Sequence, residues 1–395
     1  MKPCRALAIA TSAVLISACT PESPAPHQTP TAQRLTSSPT PHRTPDAAPV
    51  TATVVMNGDL LWHNTLWFGA REDANRAGRR GPDDLDFLPT LSAIGPMVSS
   101  ADLAICHNEV PVAQPGGPYR SYPQFSAPPQ TLEAVKGLGY DLCTTASNHS
   151  LDQGYAGLKN TLDRMDAVGL AHVGTARSQH EAEAPTIITT KGGVRIAVVE
   201  GAYGTNGIPL PNGKPWAWTG LAAPVLLQRA RAARQRGANI VLVAIHGGDE
   251  YSSRPNRQQT DLARVLTASP DVDLVYGHHA HVVQPITTVN GKWVVFGLGN
   301  LVAQHRTDVP RGQEGITTRF TFARKPDGRF AVTAASYFPT LVTHYRPGSP
   351  ARVLLVNQRL AKLSAGPERT RLVEAARRTA AAVRLLGGTD GLREG

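Results

Sequence analysis

A repeated pattern constrains the fold most: a short apolar run, then a polar cluster, then a stretch with helical periodicity. Runs of strand length occupy residues 53–57, 103–106, 142–146, 196–200, 240–246 and 274–276, and helical patterns occupy 85–99, 129–138, 155–168, 224–237 and 257–268. Strands that alternate with helices predict an α/β body. Candidate two-residue turns at Gly192-Gly193, Asn290-Gly291 and Asp327-Gly328 add β-hairpins. We therefore expect a layered sandwich with mixed sheets.

Polar clusters end five of these apolar runs. Their members are Asp59, Glu109, Asn148 with His149, His246, and His279 with His281. In open α/β sheets, the carboxyl ends of the strands form the crevice that binds ligands. Carboxylate, amide and imidazole groups are ligands for Zn, Mn, Fe and similar divalent ions. The sequence therefore predicts a metal centre without cysteine ligands.

Each of these signals has a structural alternative when it stands alone. Gly58-Asp59 is a common turn sequence, and a histidine such as His246 at a strand end is often a hydrogen-bonded core residue. Asn148-His149 carries more weight. His279-Ala280-His281 is stronger still, because two imidazoles two residues apart can reach one metal ion or straddle two. The order of the signals along the chain makes the joint interpretation specific.

That order, Gly-Asp, Asn-His, His and Gly-x-His-x-His, resembles the calcineurin-like metallophosphoesterase superfamily. The local context resembles one branch, the CapA family associated with poly-γ-glutamate capsule synthesis. The resemblance spans roughly residues 51–304, and its blocks are MNGDLLWH (56–63), ADLAICHNEV (101–110), TASNHSLDQGYAGLKNTLDRM (145–165), IHGGDEYSSRPNRQQTDLARVL (245–266), DLVYGHHAHVVQPI (273–286) and VVFGLGNLV (294–302). The resemblance implies a four-layer α/β/β/α sandwich. It also implies a site for two divalent metal ions, which would be Mn, Zn or Fe.

The resemblance also assigns roles to single residues. One ion would be held by Asp59, Glu109 and His281, and the other by Glu109, Asn148, His246 and His279. His149 would face the substrate as general acid or oxyanion donor, with Asp152 orienting its ring. A helix N-cap at residues 149–152 is compatible with the same sequence.

The chain departs from the superfamily pattern at several points. Asp59 is followed by two leucines where the pattern has Asp-x-His, and His63, four places on, either replaces that ligand or leaves the site without it. Glu109 stands where the superfamily has a bridging aspartate, which resembles the CapA branch. Gly247 and Ala280 stand where that branch usually has Trp and Pro.

Four polar residues that follow His246 resemble a block shared across the branch: Glu250, Tyr251, Arg254 and Gln258. We expect them to contact substrate, with Arg254 binding a carboxylate or phosphate through a bidentate pair. The alternative is a loop of solvated charges. Arg306 and Arg311 are further candidates for this role.

The first residues predict export. Lys2 and Arg5 precede an apolar run at 6–16 that suits a signal peptide and is too short for a membrane span. The sequence LISAC at 15–19 resembles a bacterial lipobox and predicts a signal peptide at 1–18 and a lipid on Cys19. The alternative is an ordinary signal peptide that contains a cysteine. Residues 19–50 are rich in Pro and Thr and predict a disordered tether.

The remaining chain divides into a CapA-like domain at 51–345 and a C-terminal extension at 346–395. The extension contains an Ala/Arg-rich amphipathic helix near 367–386, with Val373, Ala376, Ala380, Val383 and Leu386 near one face. This helix would pack on the body, lie on an anionic surface or bind a partner. In the domain, Cys106 and Cys143 either form a disulfide or remain buried thiols.

The 395 residues carry a formal charge of +10, which favours an anionic partner. Export argues against nucleic acid and for a wall or membrane anion. The sequence thus predicts a metal-dependent hydrolase, lipid-anchored on the outer face of the cell membrane, that acts in the synthesis or processing of an anionic polymer such as poly-γ-glutamate, with a capsule synthesis complex as a possible partner. The alternatives are a dinuclear-metal phosphoesterase on nucleotides or phospho-sugars and a non-catalytic, polymer-binding scaffold.

Overall fold

A computed structural model of the chain describes residues 50–305 and 309–395. The predicted signal peptide, the lipidation site Cys19, the tether up to residue 49 and Arg306 lie outside the described residues.

The described residues form strands and helices in alternation over most of the chain. The strands are β1 (Thr51–Leu60), β2 (Leu103–Asn108), β3 (Leu142–Thr144), β4 (Ala171–Val173), β5 (Thr186–Thr189), β6 (Arg195–Ala202), β7 (Ile240–His246), β8 (Leu274–His278), β9 (Ile286–Val289), β10 (Lys292–Val295), β11 (Asn300–Val302), β12 (Glu314–Arg324), β13 (Phe330–Val342), β14 (Val353–Leu355) and β15 (Leu392–Glu394). The helices are α1 (Asn64–Arg76), α2 (Leu88–Leu91), α3 (Gly95–Ser99), α4 (Gln130–Leu138), α5 (Gly154–Val168), α6 (Gln179–Glu183), α7 (Ala223–Gln235), α8 (Arg257–Ala268), α9 (Val356–Leu360) and α10 (Pro367–Val383).

The first mixed sheet has the strand order β14-β13-β12-β1-β2-β3-β4, with β11 paired to β1 and β15 to β13. Strands β1 to β4 run parallel, whereas β12, β13 and β14 form an antiparallel half. The register sets His107 of β2 beside both Asp59 of β1 and Thr144 of β3. Strand β1 thus begins at Thr51 at one edge of the sandwich and carries Asp59 at the other.

The second mixed sheet has the strand order β5-β6-β7-β8-β10-β9. Its inner strands β6, β7, β8 and β10 are parallel, and β5 and β9 pair antiparallel at its two edges. The register places His246 at the end of β7 opposite His278 at the end of β8.

Alternate residues along the strands face two different cores. Ile105 of β2 and Val198 of β6 pack in the core between the two sheets. Cys106 faces the outer core that the first sheet shares with α1, α4 and α5, and Val243 faces the core that the second sheet shares with α7 and α8. Each such fully buried aliphatic side chain stabilises the fold by about 1.5–3 kcal/mol. The layer order is α/β/β/α, which confirms the predicted four-layer sandwich.

Most predicted elements coincide with observed ones within a few residues, as β1, β2, β3, β6, β7, β8, α4, α5, α7 and α8. The hairpin turn at Asn290-Gly291 is confirmed, because Val289 pairs with Lys292 and both turn residues have positive φ, as a type I′ turn requires. The other two predicted two-residue turns were wrong in length. They lie within hairpin loops at 190–194 and 325–329.

Two local interpretations were also wrong. The predicted helix at 85–99 is broken into α2, a 3-10 helix at Ser92–Ile94 and α3, where Gly95 and Pro96 interrupt the α-helical hydrogen bonding. Gly58-Asp59 is not a turn but lies inside β1. A Cβ atom on Gly58 would lie 2.2 Å from the Gly299 carbonyl oxygen, so the glycine is required by close approach of the segment before β11.

The C-terminal residues join the same layers. Strands β14 and β15 both pair with β13, and α10 packs on the body through Leu372, Ala375, Thr379 and Val383. Of the three options for this helix, the structure shows packing on the body. The face that packs differs from the predicted one, since Val373 is exposed. The prediction missed the buried face because that face includes the small residues Ala375 and Thr379.

Two further observations concern cysteines and membranes. Cys106 and Cys143, which are paired neighbours on β2 and β3, form a disulfide with a Cα–Cα distance of 4.5 Å. Within residues 50–305 and 309–395, no helix combines the length and the apolar character that crossing a membrane requires.

Candidate functional site

The polar clusters of the sequence meet at the edge of the sandwich where the parallel strands of both sheets end. Asp59 lies one residue before the end of β1, Glu109 follows β2, Asn148 follows β3, His246 closes β7, and His279 and His281 follow β8. A contact of 2.8 Å between Asn148 Oδ1 and His246 Nε2 joins the two sheets at this edge. Topology therefore gathers residues that are far apart in sequence.

The three residues Asp59, Glu109 and His281 form one compact group. One ligand atom of each lies within 4.8 Å of the others, and all three side chains are buried. His281 Nδ1 lies 3.1 Å from Asp59 Oδ2, and its Nε2 lies 3.6 Å from Glu109 Oε1. Asn300 Oδ1 accepts a hydrogen bond from the same Nδ1 at 3.0 Å. The ring is thereby oriented with Nε2 toward Glu109.

A second group surrounds His246. Its ring lies 4.9 Å from that of His279, measured between centroids, and Asn148 contacts its Nε2. The Asn148 amide nitrogen donates to Asn206 Oδ1 at 3.1 Å, which leaves its carbonyl oxygen toward His246. His279 and His281 also form a group with Glu250, in which one ligand atom of each lies within 4.8 Å of the others.

Unpartnered polar atoms show that this donor set fits divalent metal ions. Both carboxylate oxygens of Glu109, and Nδ1 of His279, are buried and lack a hydrogen-bond partner among the described residues. Burying a carboxylate without a partner is costly, and buried charges are normally paired or bound to metal. Carboxylate, amide and imidazole donors at one point suit Zn, Mn or Fe.

Burial and neighbouring charges shift the pKa values of Glu109 and Asp59 in opposite directions. Burial raises the pKa of Glu109 to about 7, despite the opposing effect of His281. Burial would also raise the pKa of Asp59, but hydrogen bonds from His278 and His281 outweigh it and hold the pKa well below its usual value. Burial would lower the pKa of His281, yet Glu109 and Asp59 raise it to about 10.

His279 and His246 are held neutral. Burial, together with His281, lowers the pKa of His279 to about 3. Burial, together with the nearby His107, lowers the pKa of His246 well below its usual value. A neutral imidazole is the form that binds a metal ion.

The segment that follows β8 has a strained backbone. His279 and His281 have φ values of 86° and 54°, a left-handed region that residues other than glycine rarely adopt. A hydrogen bond of 3.3 Å from the His279 amide to Asp59 Oδ2 helps to hold this conformation. Such strain is typical of functional sites, where the surrounding structure imposes it.

His149 and Asp152 form a pair beside the group. His149 Nδ1 lies 2.7 Å from Asp152 Oδ2, and the same oxygen accepts the Phe125 amide at 2.8 Å. Helix α5 begins only at Gly154, and its N-cap residue Gln153 makes no side-chain cap. The N-cap alternative for 149–152 was therefore wrong, because the Asp152 carboxylate is used by His149 and Phe125.

His63 lies at the margin of the site as the N-cap residue of α1. Its Nδ1 accepts the Gln304 amide at 3.1 Å, and its ring packs against Phe125 and His305. The structure does not place His63 in any of the compact ligand groups found among the described residues.

Glu250, Tyr251 and Arg254 lie on the loop between β7 and α8, and the fourth predicted substrate residue, Gln258, lies in the first turn of α8. Glu250 approaches His279 and His281, whereas Arg254 and Gln258 are exposed. Tyr251 has a φ of 59°, and its hydroxyl lies 3.3 Å from His305 Nδ1. Arg311 donates to Ser253 Oγ at 2.9 Å and to the Tyr251 carbonyl at 3.3 Å, so it braces this loop.

Five buried or half-buried polar residues of the site were missed from the sequence: His107, Glu200, His278, Asn300 and His305. His278 Nδ1 contacts Asp59 Oδ1 at 2.6 Å, and Asn300 and His305 are 3.1 Å apart between Nδ2 and Nε2. For three of the five, a signal was present. Glu200, His107 and His278 each continue the two-residue alternation of side chains between the sheets, after 196 and 198, 103 and 105, and 274 and 276.

The chain is similar in sequence to curated capsule biosynthesis proteins. The PGA biosynthesis protein CapA of Bacillus subtilis (strain 168) is 28% identical over 204 residues, covering 52% of this chain and 53% of that protein. The capsule biosynthesis protein CapA of Bacillus anthracis is 28% identical over 188 residues, covering 45% and 44%. The chain thus spans about half the length of the curated relatives it matches.

Solved structures with a similar arrangement include the calcineurin-like phosphoesterase YfkN from Bacillus subtilis. The TM-score is 0.46 at 14% identity, over 85% of this chain and 100% of that chain. The family model of the bacterial capsule synthesis protein PGA_cap matches residues 53–305, which include each of the ligand groups described above. This match extends over well more than half of the chain, and the chain therefore belongs to the PGA_cap family of bacterial capsule synthesis proteins.

Proposed function

We propose that the protein is a metal-dependent hydrolase that acts in the synthesis or processing of an anionic cell-surface polymer such as poly-γ-glutamate. The observation that carries the proposal is Glu109, a wholly buried carboxylate with two unpartnered oxygens beside Asp59 and His281. Membership of a capsule synthesis family supports the choice of polymer.

In this proposal, Asp59, Glu109 and His281 would hold one ion, and Glu109, Asn148, His246 and His279 would hold the other. Divalent ions, when bound, supply Lewis acidity that polarises a substrate oxygen and activates water. Glu109 is shared between the two groups. His63 orients the start of α1 and braces Gln304.

The His149–Asp152 pair handles a proton. Because Asp152 accepts from His149 Nδ1, that nitrogen carries a proton and Nε2 is left to accept or return a proton at the substrate. A group so positioned contributes about 10²–10⁴-fold to a rate.

Residues of the β7–α8 loop and of the first turn of α8 bind the polymer. The Arg254 guanidinium is exposed and suits a carboxylate in a bidentate pair, and Tyr251 and Gln258 supply neutral hydrogen-bonding groups. Glu250 is a carboxylate beside His279 and His281 and would repel an anionic group. We therefore assign it to a hydrogen bond from a substrate amide or from water.

We further propose that the protein is exported and anchored to the outer face of the cell membrane through a lipid on Cys19, where a capsule synthesis complex and its polymer are the partners and nucleic acid is not. The basic formal charge of +10 supports an anionic partner. Metabolic labelling with a lipid precursor, with Cys19→Ser as control, tests the anchor.

The activity is tested with purified protein, Mn²⁺ or Zn²⁺, and poly-γ-glutamate whose chain length is followed by size-exclusion chromatography. Shortening is expected for the wild type and its loss for Asp59→Ala and His279→Ala. A parallel reaction contains a chromogenic phosphodiester. Hydrolysis of the phosphodiester alone would assign a phosphoesterase, and retained polymer binding without cleavage of either substrate would assign a scaffold; both outcomes contradict the proposal.

A further inference from the structure

A chain of buried polar side chains crosses from one sheet to the other behind the ligand groups. Glu200 of β6 is fully buried, and its Oε2 accepts the amides of Thr145 and Ala146, each at 2.7 Å. Its Oε1 lies 3.3 Å from His107 Nδ1. His107 belongs to β2 of the other sheet, so one carboxylate of the second sheet contacts two elements of the first.

The contacts of His107 fix the position of its proton. Thr144 Oγ1, which donates its own proton to the Cys106 carbonyl, lies 2.9 Å from His107 Nδ1. Nδ1 therefore donates to the Thr144 oxygen, and the nearby Glu200 carboxylate, whose Oε1 has no hydrogen-bond partner of its own among the described residues, favours the same position for the proton. In the neutral imidazole, His107 Nε2 is then an acceptor.

The next contact passes this preference on. His246 Nδ1 lies 2.9 Å from His107 Nε2, and only one of the two nitrogens can carry the proton. Because His107 Nε2 is the acceptor, His246 Nδ1 is the donor and His246 Nε2 is left with a bare lone pair. That lone pair faces Asn148 Oδ1, another acceptor, at 2.8 Å. Two acceptors so close favour a cation that both can bind.

We propose that Glu200 and His107 are positioning residues, which set the tautomer of His246 so that Nε2 is the atom presented to a metal ion. Glu200 also holds the backbone at 145–146, which leads to Asn148. One buried carboxylate thus positions both Asn148 and His246. The inference rests on the proposed metal centre for its function. A second polar partner of this kind typically changes metal affinity by about 10–100-fold.

The surroundings are built to admit this carboxylate. A Cβ atom on Gly174 would lie 2.0 Å from Glu200 Oε2 and 2.6 Å from the Ala146 amide nitrogen, so only glycine leaves the space. The His107 ring also stacks on His278, with centroids 4.1 Å apart, and His278 contacts Asp59. The relay therefore touches the supports of both proposed ion sites.

Glu200→Gln inverts the relay without removing volume. The Gln amide group donates to His107 Nδ1, so that His107 Nε2 becomes the donor and His246 carries its proton on Nε2. His107→Phe keeps the stacked ring and removes both nitrogens. Glu314→Gln is the matched control, because Glu314 is an equally buried glutamate whose carboxylate is bound by Arg371 and Arg378, away from the ligand groups.

Two measurements on the full chain test the proposal. Isothermal titration of metal-stripped protein with Zn²⁺ or Mn²⁺ is expected to show about 10–100-fold weaker binding for Glu200→Gln and His107→Phe, and unchanged binding for Glu314→Gln. Nitrogen-15 spectra of the histidine rings in metal-free protein are expected to show the His246 proton on Nδ1 in wild type and on Nε2 in Glu200→Gln. Circular dichroism monitors folding of each variant.

The proposal is overturned if Glu200→Gln folds and keeps wild-type metal affinity, or if the His246 proton stays on Nδ1 in that variant. If the wild type binds neither ion, the metal centre itself fails, whereas the ring spectra still decide on the relay. If His107→Phe does not fold, the isosteric Glu200→Gln carries both measurements.

Discussion

Glu109 combines complete burial, two unpartnered oxygens and a protonated histidine neighbour. Its pKa is raised by burial from 4.5 to about 7, so the ionised form is less stable in the folded protein than in the unfolded chain. In the metal-free protein, this carboxylate therefore costs stability above pH 4.5, and the full cost is reached above pH 7.

Glu109→Gln removes that cost, since glutamine resembles the protonated acid. We expect the metal-free variant to melt a few degrees above metal-free wild type at pH 8, and the difference to vanish near pH 4. Thermal unfolding in the presence of a chelator measures it. Glu314→Gln is the control and should lower the melting temperature, because its carboxylate is paired. Equal melting of Glu109→Gln and wild type at pH 8 would contradict the argument.

The same groups predict how metal binding depends on pH. Above pH 7 the metal-free protein carries a proton on His281, whose pKa is about 10. Below pH 7 it carries a second proton on Glu109. Binding must displace these protons, so we expect affinity to rise with pH, more steeply below pH 7 than above. Titration calorimetry in buffers of different ionisation enthalpy counts the released protons; a pH-independent affinity between 6 and 9 would contradict the prediction.

At this scale, the sequence was informative about the residues at strand ends and less so about their supports. Asp59, Glu109 and His281 are brought together by the fold, and their role as ligands stays a prediction. His107 and Glu200 were missed because a polar residue was taken to mark the end of a strand, whereas both lie within a strand. Their two-residue spacing from inward-facing apolar residues was the usable signal.

Among elements, helix α1 shows what the pattern could not predict. Its buried face consists of Leu66, Gly69, Ala70, Asp73 and Ala74, so the large apolar residues that mark helical periodicity are almost absent. Close packing of that helix against the chain near Pro350 favours Gly69, since a Cβ atom there would make a tight contact of 3.1 Å with Pro350 Cβ. The small residues that permit the contact also remove the sequence signal.

A tight approach between elements supports a prediction at Gly277 of β8. A Cβ atom there would lie 2.0 Å from the Phe296 carbonyl oxygen, so Gly277→Ala must push β8 away from the segment after β10. We expect a loss of about 1–3 kcal/mol or more in the free energy of unfolding, and weaker metal binding because His279 and His281 follow directly. Urea unfolding and metal titration measure the two effects.

Gly137 of α4 is the matched position, because nothing lies within 4 Å of a Cβ atom built there. Gly137→Ala should stabilise the protein by about 0.5–1 kcal/mol through helix propensity and leave metal binding unchanged. Equal stability of the two alanine variants would show that the approach at Gly277 relaxes at little cost.

For the whole molecule, the C-terminal extension matters for stability. Glu314 of β12 is buried and is paired with Arg371 and Arg378 of α10, whose side chains are 29% and 24% exposed. Replacing both arginines with alanine leaves a buried carboxylate unpaired. Loss of a buried pair costs about 3–5 kcal/mol, and solvent near the guanidinium groups places the expected loss below that range.

Chemical denaturation of the double variant measures that loss. Arg359→Ala is the control, because its ion pair with Glu368 is exposed and its removal should leave unfolding unchanged. If the double variant unfolds like Arg359→Ala, α10 does not contribute to the stability of the domain in this way.

The two ends of strand β1 lie far apart: the chain enters at one end, and Asp59 lies near the other. Its ten residues, at about 3.3 Å each, place the entry of the chain at residue 50 roughly 30 Å from Asp59. Any attachment made before residue 50 therefore pulls on the end of β1 that is opposite to the ligand groups. A force on that end is carried along β1 and its hydrogen-bonded neighbours, whereas the histidines lie at the opposite end of that strand.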